Sequence, residues 1–178
     1  MLPLADRRLR LTEAEFLALP ETSDHVELVD GEVVIMPGPS LLHQEILFAL
    51  VYALQGWARA HPPARAIGAP LDVRMGSGRI LQPDAMLWRD GVDADDAPIA
   101  TVPTLCVEVL SKNGTYDRIA KRLLYAEAGV AEYWIVDPMT RSVEVVRGLE
   151  TVASVTGSLR SAELPGFTLD LSTIFRAD

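Results

Sequence analysis

The stretch Thr-Leu-Cys-Val-Glu-Val-Leu-Ser at 104–111, with the Glu-Tyr-Trp-Ile-Val-Asp-Pro at 132–138 that answers it, decides how this chain folds. Leu105 to Leu110 has the composition of a strand buried on both faces, interrupted by one carboxylate, Glu108. An ionised carboxylate left alone in such surroundings is costly or takes up a proton, so a cation, a donor network or a metal ion must lie beside it. Between the two strands, Ser111-Lys112-Asn113-Gly114 is turn chemistry, Thr115 can cap a helix, and Gly129 stands where that helix should end in a left-handed residue. The spacing predicts a helix from about Tyr116 to Ala128, with Ile119, Leu123 and Ala126 facing the sheet. Two strands joined through one helix are most simply parallel, with a right-handed crossover. Sites in such units collect at the strand C-terminal ends, here Glu108, Ser111 and the helix start.

Outward from this unit, the chain begins with a short amphipathic helix, Thr12 to Leu19, opened by a Thr12/Glu15 capping box and stopped by Pro20. His25 to Met36 reads as a hairpin turning at Asp30-Gly31. After the Pro37-Gly38-Pro39 loop, Ser40 caps a helix from about Leu41 to Ala60, with Ile46, Leu50, Leu54 and Trp57 on one face and Pro62-Pro63 as its stop. Ala69 to Met75 and Ile80 to Trp88 read as a second hairpin across Gly76-Ser77-Gly78, and the second of these strands carries Gln82-Pro83-Asp84, another carboxylate among apolar residues. Asp90 to Thr101 is an acidic loop. Ser142 to Arg147 pairs with the strand before it, and Val152 to Phe175 adds short strands and a terminal turn. Trp57, Trp88 and Trp134 read as core.

At 178 residues, 49% hydrophobic and 23% charged, the composition is that of a soluble globular protein, read as one domain over 1–178 with an N-terminal helical extension (1–20) and C-terminal strands and a turn (148–178). No apolar run is long enough to span a membrane, and Met1 to Arg10 lacks the apolar core of a signal peptide, so the expected location is cytoplasmic. Cys106 is the only cysteine, which excludes an internal disulfide and a thiolate-rich zinc site, and His25, His43 and His61 show no metal-ligand spacing. The net charge of -9 argues against a protein that coats nucleic acid by charge alone. A local basic set remains around the 116–128 helix, formed by Lys112, Arg118, Lys121 and Arg122. A solvated helix face would carry the same residues.

Asp84 and Glu108 lie on adjacent or near-adjacent strands if the sheet forms this way, and two buried carboxylates close together do not both ionise unless a cation is supplied. Magnesium or manganese is the obvious hard divalent supply. Such an ion activates water and neutralises charge on a phosphoryl group, and a nearby lysine can stabilise the leaving oxygen. Structural ion pairs use the same residue types, so the residues alone leave both readings open.

Pro83-Asp84, Val107-Glu108-Val109-Leu110-Ser111, Thr115, Asp117, Lys121, Tyr125 and Gly129 through Pro138 together resemble the bacterial endonuclease family called Uma-two, of the PD-(D/E)XK restriction-endonuclease-like superfamily. Glu27-Leu28-Val29-Asp30-Gly31-Glu32 and Ser40 with His43-Gln44 extend the resemblance, which runs from about His25 to Arg147. It implies an α/β (mixed α+β) fold, a central mixed sheet flanked by helices and β-hairpins. It also implies a Mg2+- or Mn2+-dependent endonuclease acting on nucleic acid, with DNA the expected substrate, Asp84 and Glu108 as metal ligands and Glu27 as a further acidic contributor.

One position departs from the pattern. The superfamily has a lysine two residues after the second acid, and here that residue is Leu110. Lys121 matches the lysine the family carries instead, and Lys112 is the other candidate; these two are the only lysines in the sequence. Substrate contact is expected from His43, Gln44, Lys112, Arg118 and Arg122. Tyr125 reads as packing with its hydroxyl at the surface. Two other classes stay open: a catalytically silent domain that binds nucleic acid or protein, and a hydrolase of another phosphate ester. A homodimer is the assembly left open.

Overall fold

The structure is a computed structural model and describes residues 10–20, 22, 24–93, 97–111 and 117–175, without the side chains of 117 and 118. The expected turn at Lys112 to Gly114, the Thr115 cap and the helix start at Tyr116 lie outside the described residues, as do residues 1–9 of the N-terminal extension and Asp95 and Asp96.

The chain enters through α1 (Glu13–Leu17), whose Thr12 cap and Glu15 form the reciprocal box read from the sequence. The hairpin β1 (His25–Val29) and β2 (Glu32–Met36) follows. Asp30 and Gly31 both adopt positive φ, 50° and 83°, as a two-residue turn of this type demands. Helix α2 (Leu41–Ala60) starts at Ser40, whose hydroxyl accepts the His43 amide. Then come β3 (Arg65–Gly68), β4 (Val73–Arg74), β5 (Ile80–Leu81), β6 (Ala85–Trp88) and β7 (Leu105–Val109). A π-helical turn at Asp117–Lys121 leads directly into α3 (Arg122–Ala128), which stops at Gly129 with φ 86°. β8 (Glu132–Asp137), β9 (Ser142–Arg147), β10 (Glu150–Val155), β11 (Ser158–Arg160), β12 (Thr168–Asp170) and a 3-10 turn (Leu171–Thr173) complete the order.

Among the described residues the main sheet runs β10-β9-β8-β7-β6-β3, with β7 and β8 parallel and the other neighbours antiparallel. It is the central mixed sheet that the family resemblance implies. Alternation along β7 sends Leu105, Val107 and Val109 to the α2 face and Cys106 to the α3 face, so Glu108, in step with Cys106, also faces α3. Ile46, Leu50, Leu54 and Trp57 of α2 pack on the first face. Each of the three aliphatic side chains contributes about 1.5–3 kcal/mol, which with Trp57 anchors α2 and fixes where its first turn lies.

Two expectations change. The predicted strand Ile80 to Trp88 is two strands in two sheets: β5 joins a smaller sheet ordered β2-β1-β5-β4, and β6 joins the main one. Pro83 lies at the break, where a residue without an N–H cannot continue a ladder. The predicted hairpin survives only as β4 against β5, with Val73–Arg74 the part of Ala69 to Met75 that forms a strand, whereas β6 pairs with β7 on one side and on the other with β3, which lies outside the predicted strands. The helix after β7 also turns a different face inward. Ile119 and Leu123, expected against the sheet, are 69% and 47% exposed, whereas Lys121, Leu124 and Tyr125 are buried. Lys121, Leu124, Tyr125 and Ala128 are spaced i, i+3, i+4 and i+7, and the carboxylates beneath draw this face in by pairing with its lysine.

Candidate active site

Three carboxylates meet where the two sheets join. Glu27 comes from the centre of β1, Asp84 from the break after β5, and Glu108 from β7. The pair Ala85 and Val107 is in register across β6 and β7, so Asp84 and Glu108 stand one antiparallel step further on, opposite each other. All three are buried, with 0%, 8% and 3% of their surface exposed.

Lys121 links two of them. Its ammonium, with no exposed surface, donates to Glu27 Oε1 at 3.0 Å and to Glu108 Oε1 at 2.7 Å. The Tyr125 hydroxyl donates to the same Glu108 oxygen at 2.5 Å. This hydroxyl was expected at the surface and is instead fully buried, because Tyr125 lies one turn beyond Lys121 on the inward face. Burial, reinforced by the Glu108 charge, pushes its pKa well above 10, which keeps it a neutral donor. Glu27 Oε1 also accepts the Gln82 amide at 2.9 Å and lies 3.4 Å from His25 Nε2. Burial pushes the Glu27 pKa up, but Lys121, His25 and the Gln82 amide outweigh it and bring the value from 4.5 to about 2.

Asp84 is held separately. Its Oδ2 accepts the Val109 amide at 2.8 Å and lies 3.1 Å from His43 Nε2. Burial opposes ionisation; the His43 bond and charge, the Val109 amide and the more distant Lys121 overcome it and lower its pKa. An ionised carboxylate only accepts, so Nε2 carries the proton in this pair. Both protein bonds go to Oδ2, and Oδ1 accepts none from the described residues.

Asp84, Glu108, Lys121, His43 and Gln44 all line one cavity of about 430 Å3, with Ser111 and the Met36 to Ser40 loop on its walls. Glu27 does not line it and reaches it through Lys121. Arg122 is not on its wall: it donates to Glu144 Oε2 at 3.2 Å and to the Leu149 carbonyl at 3.4 Å. Lys112 and the Arg118 side chain lie outside the described residues. His25 and Gln82 were missed as site residues. His25 could have been found from period two, since it shares a face of β1 with Glu27.

The donor set suits a hard divalent ion. Among the described residues no three His, Cys, Asp or Glu side chains converge as a cage. Two carboxylates on an open cavity wall, one with an uncommitted oxygen, suit magnesium or manganese, which keep several waters and take one or two protein carboxylates.

The family described as "Uma2: Putative restriction endonuclease" matches residues 13–172. Among solved structures, the chain is similar to a crystal structure from Anabaena variabilis described as a putative nuclease belonging to DUF820, with 22% identity and a TM-score of 0.79 over 93% of this chain and 97% of that one. Among curated proteins none matches. A match over nearly the whole length, on a chain whose main sheet is mixed and whose acids gather at one cavity, gives the conclusion that this protein belongs to the Uma2 family.

Proposed function

We propose that the chain is a nuclease that hydrolyses phosphodiester bonds of DNA with Mg2+ or Mn2+ as its cofactor. The observation that carries this reading is that Asp84, Glu108 and Lys121, borne on separate elements, line a single cavity. A divalent ion held by Asp84 and Glu108 would supply Lewis-acid charge and a more acidic bound water. Lys121, clamped between Glu27 and Glu108, holds a compact positive charge in a fixed place, where it can stabilise charge developing on a phosphoryl oxygen without reorganising. Tyr125 and Lys121 together fix the orientation of Glu108, as His43 and the Val109 amide fix that of Asp84. The first turn of α2 presents its positive dipole end, with Ser40, His43 and Gln44, to the cavity wall, which favours a phosphate in a chain whose overall charge repels one.

One observation favours a catalytically silent domain of the same fold: Lys121 has no exposed surface and is already paired with two carboxylates. The two readings separate in one assay. Supercoiled plasmid and labelled single- and double-stranded DNA and RNA are incubated with wild type and Asp84→Asn in Mg2+, Mn2+ or EDTA. The proposal expects DNA cleavage by the wild type with either metal, lost in EDTA and in the folded variant. A wild type that cleaves no nucleic acid in either metal overturns it in favour of the silent domain. Cleavage unchanged by EDTA or by the substitution overturns the assigned chemistry.

A further inference from the structure

The outer face of α2 presents Leu41, Glu45, Phe48, Tyr52, Gly56 and Arg59, whose steps of three and four place them on one stripe. This is not the stripe that packs on the sheet, which is Ile46, Leu50, Leu54 and Trp57. Leu41, Phe48 and Tyr52 are 78%, 72% and 82% exposed, so the face carries two aromatic side chains one turn apart in water. A patch of that kind marks a surface that something covers. Gly56 is a separate observation. It sits inside the helix, where glycine is unfavourable relative to alanine, yet a Cβ built there would meet nothing within 4 Å. The packing of the chain itself does not require a glycine there; the space it leaves opens outward.

We propose that this face pairs with the same face of a second copy of the chain, the two α2 helices running antiparallel about a two-fold axis near Tyr52. Phe48 and Gly56 are each four residues from Tyr52, on opposite sides of it. In the antiparallel pair the ring of Phe48 therefore comes against the open surface at the partner copy's glycine. Glu45 and Arg59 are each seven residues from Tyr52, so an acid meets a base at each end of the seam. Large against small and negative against positive, each occurring twice, is the self-complementarity that a two-fold interface needs. A nucleic acid suits the face poorly, since it offers one arginine and one carboxylate in a chain of net charge -9. The aromatic pair brings about 150–250 Å2 for each ring, and with Leu41 the patch stays below the ~800 Å2 per partner of a standard interface. An interface of this size is that of a weak, transient dimer, to be sought at micromolar and higher concentrations.

Sedimentation equilibrium from low to high micromolar chain tests this, with circular dichroism on every variant. The wild type should approach twice the 19.4 kDa chain mass, and the double variant Phe48→Ser, Tyr52→Ser should remain a monomer. Glu45→Arg and Arg59→Glu should each weaken association at least tenfold, and the two together should restore it. Gly56→Leu gives opposite signs: a higher thermal midpoint at concentrations where the wild type is monomeric, and loss of the dimer where it is not. A wild type that stays monomeric throughout overturns the proposal. So does a dimer that survives the aromatic substitutions or Gly56→Leu, and a combined charge swap that fails to restore association overturns the antiparallel register. Should the aromatic double variant fail to fold, Gly56→Leu and the charge swaps decide the question.

Discussion

Replacing Lys121 by methionine keeps an unbranched side chain in place and removes its charge. The ammonium has no exposed surface and lies 3.0 Å from Glu27 Oε1 and 2.7 Å from Glu108 Oε1. The fall of the Glu27 pKa from 4.5 to about 2 corresponds to about 3 kcal/mol of favourable interaction with the ionised form, at about 1.4 kcal/mol per pKa unit. Against burial, which raises the pKa, Lys121 is the largest single cause of the fall, with His25 and the Gln82 amide adding to it. Removing one partner of a buried ion pair costs about 3–5 kcal/mol, which agrees. In the wild type the depressed pKa means this stability is fully present above pH 4.5 and is lost as pH falls through about 2. In Lys121→Met the largest offset to burial is gone, leaving His25 and the Gln82 amide against it, and the folded-state pKa of Glu27 is expected to rise above its unfolded value. The native state then holds a proton that the unfolded chain releases, so the variant becomes more stable as pH is lowered from neutrality toward 4.5. Urea titrations at neutral and mildly acidic pH should show a loss of about 3–5 kcal/mol near neutrality, partly recovered on acidification. A loss under about 1 kcal/mol, or a pH slope like that of the wild type, would refute the buried-clamp reasoning.

Lys121→Arg should keep a charge yet leave cleavage impaired, since a planar fork does not replace a compact ammonium between two carboxylates; full activity in a plasmid assay would sink that. Tyr125→Phe removes a donor from Glu108 Oε1 and should cost about 1–3 kcal/mol in urea unfolding, against no change if the hydroxyl merely fills space. Gly129→Ala should lower stability by about 1–2 kcal/mol in thermal melts, because the residue sits at φ 86° although a Cβ would meet nothing within 4 Å.

The elements were legible in the sequence wherever one local signal dominated. The capping box at Thr12, the Asp30-Gly31 turn, the Ser40 cap and the Gly129 stop each fix a boundary through backbone chemistry that tertiary contacts reinforce. The reading failed where a boundary depends on which sheet a strand joins. Ile80 to Trp88 is apolar almost throughout, and only Pro83 hinted that its halves part company. The inward face of α3 was misread because apolar spacing ranks Ile119 and Leu123 above a lysine. Burying Lys121 becomes favourable only once Glu27, 94 residues earlier in the chain, is known to stand beside Glu108. Asp84 and Glu108 could be singled out as carboxylates among apolar neighbours. The partners that orient them, His43 for one and Tyr125 for the other, come from helices whose rotation no local pattern sets.

Manganese anomalous scattering from crystals soaked in the ion reads out whether Asp84 and Glu108 share one divalent ion. Sharing of the ion gives one strong peak in the cavity, about 2 Å from a carboxylate oxygen of each residue, and absent in crystals of Asp84→Ala. A saturating soak that leaves no peak between the two carboxylates, or one that places manganese elsewhere while they keep only their protein partners, would contradict it.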